Sequence, residues 1–339
     1  MGQGRGIVRW ELFLLVFLVA VFVYGTFGSK YFLTASNISI ALAGAMPVAI
    51  VALAMTLVII TGEIDISAGS MVGLCAVAIA VSLEQGLPIG VAMTVAVLTG
   101  ILAGLFNGLV VAYGGLPSLV VTIGTLALYR GLAQILLEER SVSSFPGWYQ
   151  DLGFGTVGDT PLPWTTVLFI VLAVGFAVFL HLTRWGRVLY AIGNNREAAR
   201  YSGIDVRRAI VGVFVTSGVM CAIAAMVLTA YLASARSDTA IGLELPVITA
   251  VVLGGVSIFG GSGTMLGVVL ALAVLAFVQN SLGLAGVTPE AQQIVTGAVL
   301  ILTLVVFEGH ALVRRRLAAR HPARPASSQR TARPVRDSI

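Results

Sequence analysis

Long apolar runs separated by short polar islands dominate the chain from residue 11 to residue 308. A bilayer core of roughly 30 Å takes roughly 17–25 apolar residues per helical span, and on that scale the runs predict about ten spans. They fall at 11–28, 38–60, 67–83, 89–113, 117–137, 164–182, 209–235, 247–259, 264–282 and 290–308. The third is interrupted by glycine and the eighth is short. The pattern therefore predicts an all-α polytopic membrane protein. The first run reads as a span and not as a cleaved leader, because no small-x-small site follows it cleanly and the next span begins soon after.

Composition sharpens this. Of the 339 residues, 58% are hydrophobic and 10% charged. A soluble domain carries about 25% charged residues, so a soluble enzyme is excluded. Nineteen of the twenty basic residues are Arg, and the single Lys, Lys30, fits no phosphate-binding Gly-x-x-x-x-Gly-Lys-Ser/Thr loop. No conventional ATP site, catalytic constellation or metal site is legible. His181, His310 and His321 are scattered, and Cys75 and Cys221 lie in apolar runs as small buried thiols.

The position of the charges predicts orientation. With ten spans and a cytoplasmic N-terminus, sixteen Arg fall inside and only Lys30, Arg140 and Arg236 outside. The positive-inside rule then places both termini in the cytoplasm. The domains expected are a short cytoplasmic segment 1–10, a membrane body 11–308 and a basic tail 309–339. The tail is expected to be disordered and to lie on anionic headgroups. The outer loop 138–163 has Trp148, Tyr149 and Trp164 near its ends, suited to a membrane interface, and is either a lid or a docking loop. Arg130 is expected to snorkel to the outer interface.

Two glycine-rich stretches resemble each other, Gly62–Gly73 and Gly254–Gly267, with Gly-Ser/Thr-Met-Val/Leu-Gly recurring at an offset of 194. A weaker echo pairs Asn107-Gly108-Leu109 with Asn280-Ser281-Leu282. Broken helices in two halves point to a transporter, although glycine also serves close helix packing. Glu63, Asp65, Ser67, Ser70, Asn107, Gln279 and Asn280 are the candidates for a pathway or gate. Glu63 and Asp65 either line a polar vestibule or, with Ser67, cap the following helix. Gln279 and Asn280, with Gln292 and Gln293, suit a neutral hydroxylated solute or ordinary interhelical hydrogen bonds.

The largest polar island between spans is 183–208. Within it Arg196–Ser202 predicts a short helix, capped by Asn194 or Asn195, filled by Ala198 and Ala199, and ended by Gly203. Such a helix suits docking in a groove of a cytosolic partner or anchoring to headgroups. Glu197-Ala198-Ala199 followed by Gly203 resembles the Glu-Ala-Ala-x-x-x-Gly loop of ATP-binding-cassette importer permeases. Thr61–Ser67 resembles the Gly-Gly-Ile-Asp-Leu-Ser segment of ribose-type sugar permeases. Ser234–Asp238, Ala250–Gly255 and Gly260–Gly263 resemble the second half of that family, with autoinducer-2 and rhamnose permeases nearest in look.

The resemblance spans about residues 10–312. It implies a permease that does no chemistry of its own and works with two cytosolic ATPase subunits, which bind ATP and Mg. It also implies a second permease, identical or different, and a periplasmic binding protein in the bacterial inner membrane. The coupling loop it implies is Gly193, Asn194, Asn195, Arg196, Glu197, Ala198, Ala199, Arg200, Ser202 and Gly203. Glu63 departs from the pattern, standing where many relatives have Gly, and the Leu-Pro that often follows the loop in the wider superfamily is missing. The competing readings are an ion-coupled transporter using Glu63 and Asp65, and a membrane scaffold without transport.

Overall fold

The computed structural model describes residues 3–319, with side chains described for 10–305. The chain divides into two compact units, 1–300 and 301–339. The first unit is built of helices α1 (Gln3–Gly28), α2 (Ala35–Ile60), α3 (Ala68–Glu84), α4 (Ile89–Ala112), α5 (Ser118–Leu137), α6 (Gly147–Phe154), α7 (Trp164–Leu182), α8 (Arg184–Asn194), α9 (Arg196–Tyr201), α10 (Val206–Leu232), α11 (Glu244–Leu253), α12 (Met265–Leu284) and the start of α13 (Pro289–Ala319). Two-residue strands β1 (Ser141–Val142) and β2 (Ala235–Arg236) pair antiparallel.

Every predicted span has a helix at its place, but they are not equal. Among the described residues, seven helices are long and apolar enough to cross a bilayer: α1 from Trp10, α2, α4, α5, α7, α10 and α12. The eighth span expected at 247–259 is corrected. It is α11, ten residues long, which reaches only about 15 Å at 1.5 Å per residue. Gly254 and Gly255 stop it. The tenth span does not end at 308, since α13 continues to Ala319. The tail expected beyond lies, from residue 320, outside the described residues.

α2 is the centre of the body. In its most apolar 18-residue window 83% of residues are buried, against 17% for α1 and 28% for α4, α5 and α7. α10 packs against α2, α3 and α4, and α2 also packs on α7, α11 and α12. Small residues permit that packing. Gly100, Gly104 and Gly108 recur every fourth residue on α4, and a methyl at each would run into Gly218, Phe214 and Val211 of α10. Backbones approach this closely only where side chains are absent, which is how apolar helices gain contact in lipid.

The repeat is real, but its register differs from the sequence echo. α2 and α11 end alike. Gly62 has φ +80° and Gly255 φ +86°. Glu63 N donates to Val58 O (3.2 Å) and Gly62 N to Ile59 O (2.9 Å), while Val256 N donates to Val251 O (3.3 Å) and Gly255 N to Val252 O (2.9 Å). These are two Schellman closures, and a positive φ at that position favours glycine. The offset is 193. α3 and α12 end in the same motif at Gly86 and Gly286, an offset of 200. α2–α3–α4 thus corresponds to α11–α12–α13, so Asn107 on α4 and Asn280 on α12 are not counterparts. Likewise Ser70 lies inside α3 whereas Thr264 caps α12.

At one end of the body the long 138–163 connection is tied down. Tyr149 on α6 is buried, and its hydroxyl donates to Met226 O (2.8 Å) and pairs with Thr229 Oγ1 (2.8 Å). Burial pushes that hydroxyl up to about 12. Tyr149 is therefore a core anchor and not an interfacial aromatic, whereas Trp148 and Trp164 are exposed. Arg130 does not snorkel to headgroups. Its guanidinium donates to Ser237 O and Thr239 O, both 2.9 Å, and Gly73 leaves the room it needs. Next to it Asp238 receives the guanidinium of Arg236 (2.9 Å), which holds its carboxyl below the ordinary range.

Candidate functional site: a junction of two broken helices and a short amphipathic helix

Within the polar island 183–208 the short helix expected at Arg196–Ser202 is present as α9, and α8 before it was not expected. Thr183 Oγ1 accepts from Gly186 N (3.2 Å) and starts α8. Asn195 Oδ1 accepts from Ala198 N (2.9 Å) and starts α9. Asn195 is thus the cap, while the Asn194 amide turns inward. Gly203, with φ +81°, closes α9 through bonds from Gly203 N to Arg200 O and Ile204 N to Ala199 O. Ala199 is the buried residue of α9. Glu197, Ala198, Arg200, Ser202 and Tyr201 are exposed, Tyr201 at 92%. α9 is a short helix held by caps, with one buried residue and a charged and aromatic face left exposed.

Both helix breaks converge on the same place. Ile60 O, the last carbonyl of α2, accepts from Gly261 N in the second break (2.9 Å). Gly193 lies against Ile60 O and Gly261 so closely that a Cβ would overlap both, and a Cβ on Gly260 would meet Gly62 N at 2.8 Å. Asn194 Nδ2 donates to Tyr190 O (2.9 Å) and Gly261 O (3.3 Å), and Tyr190 OH donates to Gly263 O (2.7 Å). Burial raises the Tyr190 hydroxyl to about 12, so it stays a donor at neutral pH. The junction explains how broken backbone survives in an apolar body. Ile60 O is satisfied by the second break, and Gly261 O and Gly263 O by α8.

Three further contacts fasten the second break. Trp10 Nε1 donates to Leu253 O (2.8 Å), and Thr264, which caps α12 through Gly267 N (3.1 Å), donates its hydroxyl to Glu11 Oε1 (2.6 Å). Met265 N donates to His181 Nε2 (3.2 Å).

The first break carries the acidic residues. Glu63 is 5% exposed, and its carboxylate is ion-paired with the Arg196 guanidinium at the start of α9. Asp65 is fully buried. Its Oδ1 accepts from Ser67 N (3.0 Å) and Ser67 Oγ (2.6 Å), and its Oδ2 from Ser217 Oγ (3.1 Å) on α10. Asn107 Nδ2 donates to Ser67 Oγ (2.8 Å), and Tyr129 OH donates to Asn107 Oδ1 (3.0 Å). Ser70 Oγ donates to Ser67 O (2.8 Å). Ile64 N donates to Ser118 Oγ (3.1 Å), and Thr122 Oγ1 donates to Ile64 O (3.2 Å). Asp65 thus holds the start of α3, but Ser67 makes no cap bond of its own.

Of the gate candidates, Asp65, Ser67, Ser70 and Asn107 form one buried network and Glu63 joins α9. Gln279 and Asn280 are elsewhere. Asn280 exchanges amide hydrogen bonds with Asn37 (2.9 Å each way) and Gln279 Nε2 donates to Thr296 Oγ1 (3.4 Å). They line a cavity of about 330 Å³ with Gly44, Tyr231 and Pro246. Sequence reasoning missed Ser217, Tyr129, Ser118, Thr122 and Tyr190. Ser217 and Tyr129 were legible only as lone polar groups in apolar helices. A second cavity of about 590 Å³ lies beneath α9, lined by Glu63, Leu116, Pro117, Arg196, Arg200 and Asp205 among others.

A helical body of apolar spans, two paired breaks and an outward-facing helix set at their junction defines a polytopic membrane permease. Residues 37–304 match the family described as branched-chain amino acid transport system, permease component, and the chain belongs to this family, the permease components of ATP-binding-cassette importers. It is similar to the autoinducer 2 import system permease protein LsrD of Photorhabdus temperata, 34% identical over 90% of this chain and 92% of that protein. The LsrD proteins of Klebsiella pneumoniae and of Enterobacter sp. strain 638 are 36% and 37% identical, each over 88% of this chain and 91% and 92% of their own length.

Proposed function

We propose that this chain carries autoinducer-2 or a related sugar-like solute into the cytoplasm, in the rhamnose or ribose class, driven by ATP hydrolysis on a separate subunit. The chain itself supplies the path and no ATPase site. It sits in the bacterial inner membrane with both termini cytoplasmic, the sidedness that its arginines favour. α9 with the flanking residues Gly193–Gly203 is the element that docks on a cytosolic ATPase, which binds ATP and Mg. A second permease, identical or different, and a periplasmic binding protein complete the importer.

One observation carries the docking role: α9 is the exposed helix that follows directly on the end of α8, where both broken segments meet. Force on its outer face is delivered where the backbone is already interrupted. The named relatives support the solute class. The ion-coupled alternative finds less support, because Glu63 is ion-paired and Asp65 already accepts three hydrogen bonds.

The test is gentle purification of the tagged chain from its native membrane, followed by identification of what accompanies it. A co-purifying ATPase with a phosphate-binding loop, and uptake of autoinducer-2 by the reconstituted complex in preference to rhamnose or ribose, is the expected result. A chain that comes alone through repeated mild extractions overturns the assignment of the ATPase partner.

A further inference from the structure

We propose that Glu63 and Arg196 are positioning residues forming a latch. The latch makes the first broken segment follow α9, so that ATP-driven movement of the coupling helix reaches the transport path. The proposal rests on the reading of α9 as the ATPase-docking element and adds the residue pair through which it acts.

The geometry gives the pair a position that a mere surface ion pair lacks. Arg196 is the first residue of α9, directly after its cap. Its guanidinium is half exposed, while the Glu63 side chain it holds is 7% exposed. The two residues are 133 positions apart, so the pair ties the interspan island to the α2–α3 break. From Glu63 the chain runs at once into Ile64 and Asp65. Ile64 is bonded to Ser118 and Thr122 on α5, and Asp65 to Ser217 on α10 and, through Ser67, to Asn107 on α4. A displacement of Arg196 is therefore passed by hydrogen bonds to three helices within three residues. Such a contiguous set of bonds is a physical route for coupling.

Two further features fit a moving latch. The cavity of about 590 Å³ beneath α9, with Glu63 and Arg196 both in its lining, leaves room for α9 to shift toward the α4–α5 connection. On the other side Gly193, in the last turn of α8, touches both Ile60 O and Gly261, so the end of α8 from which α9 starts is a fixed contact about which α9 can turn. One side of the helix is pinned by backbone packing and the other by a charge pair over empty space. The pair is also asymmetric. Loss of Arg196 strands a nearly buried carboxylate, which is far costlier than loss of both partners together.

The experiment uses the purified complex reconstituted in vesicles with its ATPase and binding protein, measuring solute taken up per ATP hydrolysed. Glu63→Gln and Arg196→Gln are each expected to lower uptake per ATP by about tenfold, inside the 5–150-fold range of allosteric couplings. Uptake is normalised to the hydrolysis measured in the same vesicles, and subunit stoichiometry is measured alongside, so that weakened docking is read apart from lost coupling. The exchanged pair Glu63→Arg with Arg196→Glu is expected to recover at least half of the lost coupling.

Should a single variant fail to assemble, the double variant Glu63→Gln with Arg196→Gln, which strands no charge, keeps the latch open to measurement. It is expected to assemble and remain uncoupled. Wild-type uptake per ATP in the single or double variants, or an exchanged pair no better than the singles, overturns the latch. Absence of solute-stimulated hydrolysis in the wild-type complex overturns the importer reading instead, so the two failures are distinguishable.

Discussion

Glu197 sits in the first turn of α9 and is exposed. A carboxylate there meets the positive end of the helix, an effect of about 0.3–1 kcal/mol. Among the described residues Ala199 supplies the buried contact of α9. Under the proposed docking role the consequence of Glu197 lies on the partner's surface. Glu197→Arg is expected to abolish solute-stimulated ATP hydrolysis in the complex while the amount and melting temperature of the permease stay within error of wild type. Stimulated hydrolysis that persists at the wild-type level removes the docking role from this loop. Glu63, by contrast, is a residue whose meaning changed on folding. In the chain it is a charge beside an apolar run, and in the molecule it is half of a pair with Arg196.

Breaks and caps are the features that matter among the elements. α2 and α11 are stopped by the same glycine closure, but the two broken segments are supported differently. The first break is held by side chains around Asp65, the second by Trp10, Glu11 and His181 and by backbone bonds to Gly261 and Gly263. The Asp65 network joins α3, α4, α5 and α10, so it should stabilise the body as well as shape the break. Removing the carboxylate leaves Ser67 and Ser217 hydroxyls unsatisfied in the interior, and each buried group so stranded costs about 1–3 kcal/mol. Asp65→Ala should therefore lower the melting temperature clearly, and Asp65→Asn, which keeps an acceptor, should lower it less. Both native thiols, Cys75 and Cys221, are buried. A thiol-reactive fluorophore followed during heating reports the transition directly. Equal melting of wild type and Asp65→Ala removes the network from the account of stability.

For the molecule as a whole, the two ends differ in kind. One gathers the breaks, α8 and α9, the other the β1–β2 pair, α6 and the Arg140–Glu84 ion pair at 2.8 Å. Assignment of the first end to the cytoplasm rests on the arginine distribution. Single cysteines placed at Ser202 and Asp159, both exposed, test it in intact spheroplasts with a membrane-impermeant thiol reagent. The buried native thiols keep the background low. Asp159→Cys is expected to label at once and Ser202→Cys only after permeabilisation. The reverse pattern inverts the topology and with it the site of ATPase docking.

Hydropathy alone determined that this is a helical membrane protein and where its long spans lie, α11 excepted, because the bilayer demands long uninterrupted apolar segments and every such segment is written locally. The caps of α9 were equally legible: Asn195 and Gly203 act on neighbours three or four residues away. What needed the tertiary structure were the relations across distance. That α11 is half a span follows from a left-handed glycine turn satisfied by Val251 and Val252, which hydropathy averages away. That Asp65 is a buried hub follows from Ser217, 152 residues later. That Gly193 must be glycine follows from a carbonyl at Ile60 and an amide at Gly261. The sequence carries the residues of the junction in three separate stretches. Only packing brings them together, because Ile60 O of the first break finds its donor in Gly261 N of the second and Gly193 of α8 lies against both.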